Sequence, residues 1–492
     1  MDNPYLTGNY APVEQEQTLT ELDVTGTIPD HLDGRYLRNG PNPISEVDPS
    51  TYHWFVGDGM VHGVRLRDGR AEWYRNRWVR SPGAARALGE APPAPTPART
   101  GAPGLGANTN IIAHHGRALA LVESWIANYE LDDDLDTVGP CDFEGTVTGG
   151  FTAHPKRDPA TGELHAVSYH FGRANTVQYS VIDSNGRARR SVDIEVTGSP
   201  MMHDLALTER HVVFLDLPVT FDPARAVRTA LPAWLRRPAQ LVLSAIVGRV
   251  RVPDPLVAVA FAGARNVDLP YSWDPRYPAR IGVMPREGVN ADVRWFDIDP
   301  CYVFHTLGAF DELASNGTAT AVVLDAVRHR RMFVTDPHGP DEGPPQLHRW
   351  RLDLVTGAVT ETVLDEHGQE FPRADDRVLG RPHRYGYSLA LTDGSGAIAG
   401  DAVLRHDLAT ATTTRRHLGP GAQAGEFVFV ARHDTAAEDD GVLMGYVYDP
   451  HENRSRLTIL DAASLDTVGE VHLPTRIPHG FHGNWLPTVA QS

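Results

Sequence analysis

The chain of 492 residues holds only two cysteines, Cys141 and Cys301. That is too few for a disulfide framework and fits a reducing compartment. No stretch approaches the roughly 18 apolar residues of a membrane-spanning helix. The first segment, MDNPYLTGNYAPVEQEQ, lacks the basic-then-apolar order of a secretory signal. Positive charge is short as well: 45 basic against 63 acidic side chains give a formal net charge of −18. Such a balance argues against a nucleic-acid partner, which needs clustered Lys and Arg, and against electrostatic adhesion to anionic lipid. A cytoplasmic protein with a large apolar core is left, for 41% of the residues are hydrophobic.

What is present is a repeat. A short alternating apolar run, a turn holding Asp, Gly or Asn, and a second run recur from Val61, Asn128, Asn175, Val293, Leu347, Ala402 and Arg456. The last four starts lie 54, 55 and 54 residues apart (347−293, 402−347, 456−402). Seven hairpins at a period near 50 residues, with little helix, predict an all-β, seven-bladed β-propeller occupying 1–492 as one domain. The interval from 175 to 293 is twice the period and must contain an insertion. Within it, Ala230 to Pro255 (ALPAWLRRPAQLVLSAIVGRVRVPDP) is the best helix candidate. The plainer reading packs that helix over one face of the propeller; the sharper one lays 230–255 on a membrane surface as a peripheral contact. The Pro- and Ala-rich stretch 81–106 reads as a loop.

Among 23 histidines, three precede a polar turn and then a strong strand: His154, His203 and His305. In a propeller, equivalent positions in different blades converge on the axis. His482, in RIPHGFHGNW, follows the last hairpin and could supply a fourth. Its neighbour His479 is three residues away, but Gly480 and Gly483 exclude the helix a local chelate would need. Four neutral imidazoles suit Fe(II), Zn(II) or Cu(II) by ligand type. Their distal N–H groups need acceptors. Glu123, Glu370 and Glu426 each lie in an apolar stretch, where a carboxyl must be paired or protonated; each is a structural residue or such an acceptor.

Motifs in order along the chain then carry a resemblance. GRYLRNGPNP (34–43), HWFVGDGMVHGV (53–64), ANTNIIAHHGRALALVE (107–123), FTAHP, MMHD, YVFHT, EFPR and GFHGNW resemble the carotenoid cleavage oxygenase family over essentially the whole chain. The resemblance implies a propeller whose iron-bearing face is covered by a dome of helices and loops, here insertions near 81–106 and 216–280. It implies one Fe(II) per chain on His154, His203, His305 and His482, with O₂ as co-substrate. Glu123, Glu370 and Glu426 would orient the ligands, and the methyl of Thr109 would approach an open iron position. Phe304 and Phe55 would line a tunnel for a small apolar alkene. The implied reaction cleaves a conjugated carbon–carbon double bond of a carotenoid or apocarotenoid into two carbonyls. The alternative substrate is a stilbene or phenylpropanoid; stilbene-cleaving relatives carry a phenol-binding Lys before the first Glu, where this chain has Val122. A non-catalytic propeller is disfavoured because all four His and all three Glu are present. The NGPNP and GDGM stretches read as turns, His53, His62, His114, His115 and His479 as non-ligands, and Cys301 as a packed thiol.

Overall fold

The computed structural model describes residues 3–488 apart from 92, 94–105, 125–127, 148–149, 254–256, 258–268, 337, 341 and 393–398. It is mostly β. Antiparallel sheets succeed one another along the chain, four of them four-stranded, and a ten-stranded sheet takes in the strands from Gln369–Arg373 to Thr467–His472. The two ends of the chain exchange strands. Gly483–Pro487 pairs with Gly34–Pro41, while Asp23–Gly26 completes the last sheet beside Thr467–His472.

Side-chain alternation accounts for where each strand sits. Leu164–Ser168, Leu205–Leu207 and all but the last residue of Gly441–Asp449 are buried, as strands covered on both faces must be. Ala188–Glu195, Val359–Asp365 and Thr412–His417 are mostly half-buried or exposed and form edges. The hairpin turns share one device. Asp353, Asp407 and Asp461, 54 residues apart (407−353, 461−407), each accept backbone N–H groups from the second and third residues following. The fourth residue on, Gly357, Ala411 or Leu465, then takes a positive φ of 83°, 52° or 62°. The carboxylate closes an Asx turn and tolerates the left-handed residue that a tight reversal needs. This is the physical content of the sequence period.

Six of the expected hairpins form: those starting in the sequence at Val61, Asn128, Asn175, Leu347, Ala402 and Arg456. The one at Val293 does not. That stretch holds a single strand, Arg294–Asp297, which pairs back onto Arg280–Pro285. The true partner of Arg280–Pro285 on its other side is His211–Asp216. The long excursion therefore interrupts a hairpin from within, which hid the hairpin from a reading based on adjacent strands.

Inside the excursion lie a two-stranded ribbon (Val219–Phe221 with Tyr271–Trp273) and two helices. The stretch 81–91, expected as loop, contains helix α1 (Pro82–Ala87), started by Ser81, whose hydroxyl accepts from the Ala84 N–H, and by Pro82 in the first turn. The remainder of the 81–106 loop lies largely outside the described residues. Of the helix expected over 230–255, Ala233–Ile246 forms (α3); a second helix, α2 (Pro223–Ala230), precedes it, and the break falls at Leu231–Pro232. None of the residues of α3 is fully buried: Leu235, Ala239, Leu243 and Ile246 are half-buried along one side, while Trp234 and Leu241, seven residues apart, are 77% and 73% exposed. Positions 254 and 255 of the expected stretch are outside the described residues. Among the described residues no helix is long and apolar enough to cross a membrane.

Candidate metal centre

Four histidines far apart in sequence meet at one point. His154 and His203 each stand two residues before a strand (Lys156–Arg157, Leu205–Leu207), and His305 and His482 one residue before (Thr306–Leu313, Gly483–Pro487). One ring nitrogen from each lies within 4.8 Å of the others, and all four residues are buried. Imidazole centroids are 4.4–5.2 Å apart around the group.

Three carboxylates stand behind them. His203 Nδ1 donates to Glu123 Oε2 at 2.5 Å, His305 Nδ1 to Glu370 Oε2 at 2.6 Å, and His482 Nδ1 to Glu426 Oε1 at 3.0 Å. An ionised carboxylate only accepts, so each Nδ1 carries the proton and each Nε2 presents a bare lone pair. The Nε2 atoms of His154 and His305 are buried with no partner. A set of converging, desolvated imidazole acceptors with fixed tautomers is the donor chemistry of a divalent transition metal, and these residues fit one.

Each carboxylate is held in turn. Tyr169 OH donates to Glu123 Oε1. His329 Nε2 donates to Glu370 Oε1 at 2.8 Å, and the Phe371 N–H to Oε2. The Gly483 N–H donates to Glu426 Oε2 at 2.9 Å, and Arg373 Nη1 stands 3.8 Å from Oε1. Burial alone would push Glu370 and Glu426 up. The imidazoles of His305 and His329 outweigh it and hold Glu370 far below the usual carboxylate range, while Arg373 and His482 hold Glu426 at about 2. Burial, then the neighbouring imidazoles, drives His154 well below its ordinary value; His482 is pushed down to about 4 by burial against the pull of Glu426. Both are therefore neutral and ready to ligate at neutral pH. Formally, three carboxylates balance a dipositive ion together with the guanidinium of Arg373.

The histidine cluster separates two cavities. One, of about 180 Å³, is walled by Trp54, Phe55, Phe171, Phe221, Phe304, Phe371 and Phe481 and reaches His203, His305 and His482. The other, of about 460 Å³, is the more polar of the two, is lined by Lys156, Asp204, Arg373 and Asn484 among others, and reaches His154, His305 and His482. Thr109, Val122, Phe55 and Phe304 all line the apolar cavity. The Thr109 hydroxyl is tied to Asn108 Oδ1 at 2.9 Å. Phe304 packs edge-on against His203 at 5.1 Å and Phe55 against Phe304 at 5.7 Å.

The other histidines of the matched motifs lie elsewhere. His62 bonds Tyr74 OH, His114 and His115 bond backbone carbonyls, and His479 bonds Gln423. The His53 ring accepts from the Phe55 N–H. Cys301 is buried, its thiol pushed up to about 12 by burial, and is no part of the cluster. Sequence reasoning missed Tyr169, His329 and Arg373, whose partners are 41 or more residues away; Arg373 closes the EFPR stretch, but nothing local marks it as the partner of Glu426. Phe481 and Phe371 had a signal, their places beside His482 and Glu370.

Comparison with known proteins points to one family. The profile of the retinal pigment epithelial membrane protein family matches residues 10–487. A carotenoid cleavage oxygenase of Mycobacterium tuberculosis is 56% identical, covering 99% of this chain and 98% of its own. Among solved structures, the Pseudomonas brassicacearum lignostilbene dioxygenase superposes with a TM-score of 0.79 at 26% identity, covering 99% and 98% of the two chains. Cobalt-substituted apocarotenoid oxygenase of Synechocystis gives 0.78 at 27% identity, covering 98% of each.

Proposed function

The chain belongs to the retinal pigment epithelial membrane protein and carotenoid cleavage oxygenase family, and from that premise we propose that it cleaves a conjugated double bond of a carotenoid or apocarotenoid with O₂, giving two carbonyl products. In this reading the sheets form one seven-bladed propeller over 1–492, capped by the insertions near 81–106 and 216–280. His154, His203, His305 and His482 hold one Fe(II) per chain. The observation that carries the proposal is the buried four-imidazole cluster opening onto an aromatic-walled cavity.

Bound ferrous iron supplies the activation of dioxygen that the reaction requires. The protein's own residues place and protect. Glu123, Glu370 and Glu426 fix the tautomers of His203, His305 and His482, so the Nε2 of each faces the centre. Phe55, Phe304, Phe371 and Phe481 hold the alkene in a water-poor slot, and Phe304 sets its approach by packing on His203. With its hydroxyl engaged by Asn108, Thr109 offers the slot its methyl. The substrate enters by way of a membrane surface met by the exposed face of α3, within 230–255.

Cleavage of a stilbene or phenylpropanoid alkene is the second reading, favoured by the likeness to the lignostilbene dioxygenase. Against it, Val122 presents no ammonium for a phenol. The iron-loaded protein is to be incubated with apocarotenals, carotenes, resveratrol and isoeugenol, and products identified by mass. Apocarotenoid aldehydes are expected; cleavage of the phenolic alkenes alone would reverse the ranking, and no cleavage of any would refute the reading.

A further inference from the structure

Three of the four histidines have a carboxylate behind them. Among the described residues no such partner stands behind His154, and the strand after it, Lys156–Arg157, is only two residues long. What locks that ligand in place is therefore a question the carboxylates do not answer.

Two residues beyond His154 is Lys156, the sole lysine in a chain with 45 basic side chains. Its ammonium bridges both oxygens of Asp204, 2.9 Å from Oδ1 and 3.0 Å from Oδ2. Asp204 directly follows His203, and its side chain is 1% exposed. The same carboxylate accepts the Leu205 N–H at 2.7 Å, and the Thr306 N–H and hydroxyl at 2.9 Å each. Thr306 directly follows His305. One buried carboxylate thus ties together the chain segments that follow His154, His203 and His305.

We propose that Asp204 and Lys156 form a positioning clamp for the metal centre: they supply through the backbone the orientation of His154 that carboxylates supply to the other three ligands. The inference rests on the metal reading above. It follows from reach. A residue one or two positions from a ligand moves that ligand's Cα when it moves, and a carboxylate saturated by four donors from three segments permits little motion. Lys156 is the labile arm, because it is the charged donor among the four and its long side chain also lines the polar cavity.

The test measures cobalt(II) affinity by chelator competition, and the visible absorption of the cobalt-loaded protein, in wild type, Lys156→Met and Lys156→Arg. Unfolding of the metal-free proteins is followed in parallel. Lys156→Met is expected to lose on the order of tenfold in affinity and to change the cobalt spectrum. Lys156→Arg, which can meet the carboxylate with a forked pair of N–H groups, is expected to recover both. Thr306→Val removes one donor without stranding a charge and is expected to lose about threefold; it serves if Lys156→Met does not fold. Affinity in Lys156→Met within about twofold of wild type would overturn the proposal, as would a loss that Lys156→Arg fails to recover. Wild-type protein that binds no cobalt would refute the metal reading itself, a result distinguishable from either.

Discussion

Replacing Glu426 by Gln is the most informative single perturbation of the site. The carboxylate accepts from His482 Nδ1 at 3.0 Å and from the Gly483 N–H at 2.9 Å, one oxygen each, and faces Arg373 at 3.8 Å. An amide has one acceptor and one donor end. Whichever way it turns, one of the two N–H groups meets a donor, a buried mismatch that costs about 1–3 kcal/mol. Arg373 also loses its counter-charge. Stranding a fully buried partner costs about 3–5 kcal/mol, but Arg373 keeps Asn484 and borders the polar cavity, so the lower part of that range applies. The metal-free variant should therefore be less stable by roughly 4–6 kcal/mol in denaturant unfolding. Its metal affinity should fall tenfold to a hundredfold, about 1.4–2.7 kcal/mol, because His482 is no longer held in one tautomer. Adding Arg373→Met removes the stranded charge. The double variant should regain about 1–2 kcal/mol of stability and none of the metal affinity. A Glu426→Gln protein that unfolds at the wild-type denaturant concentration and binds metal as tightly as wild type would refute the reasoning.

Acid should destabilise the metal-free protein well above the carboxylate range. Burial holds His165, His406 and His482 at about 4 and His170 and His479 at about 3, below an ordinary value near 6.5. The unfolded chain takes up protons these sites refuse, so stability is full above about 6.5 and falls by roughly 1.4 kcal/mol per pH unit per histidine toward pH 4. His305, where the pull of Glu370 outweighs burial, acts with the opposite sign, and only above that window. Equal unfolding midpoints at pH 7 and pH 5 would contradict the assignment. At Gly480 a Cβ would run into the guanidinium of Arg38, which donates to the Pro478 carbonyl at 2.7 Å. Gly480→Ala should cost about 1–3 kcal/mol and loosen the turn that carries His482, read as lowered stability and faster metal loss to a chelator. For the surface of α3, Trp234→Asp with Leu241→Asp should abolish flotation with phosphatidylcholine vesicles while leaving cleavage of a detergent-dispersed substrate intact; unchanged flotation would remove α3 from the membrane contact.

Much of this protein is local and therefore legible from its residues. The hairpins follow from alternating apolar runs and from aspartates that close turns, so six could be placed by pattern alone. The interrupted hairpin at His211–Asp216 could not, because its second strand, Arg280–Pro285, comes after a long excursion and no local rule joins strands across one. The excursion's helices were legible as apolar and Arg-rich, but not their exposure: hydrophobicity says that a helix prefers burial, not whether a surface awaits it.

The amino-acid order alone determined the β character, the absence of a nucleic-acid partner's charge pattern, and which histidines stand at equivalent places before strands. It left RIPHGFHGNW undecided between two histidines until a family resemblance favoured one. Tertiary structure decided the rest. His482 joins rings 177, 279 and 328 residues upstream (482−305, 482−203, 482−154), whereas His479, three residues away, turns to Gln423. Tyr169, His329, Arg373 and the clamp of Lys156 on Asp204 belong to the same class of fact. Their roles exist only in through-space contacts, and those are created by sheet register and by the exchange of strands between the chain's ends, neither of which any short stretch of sequence encodes.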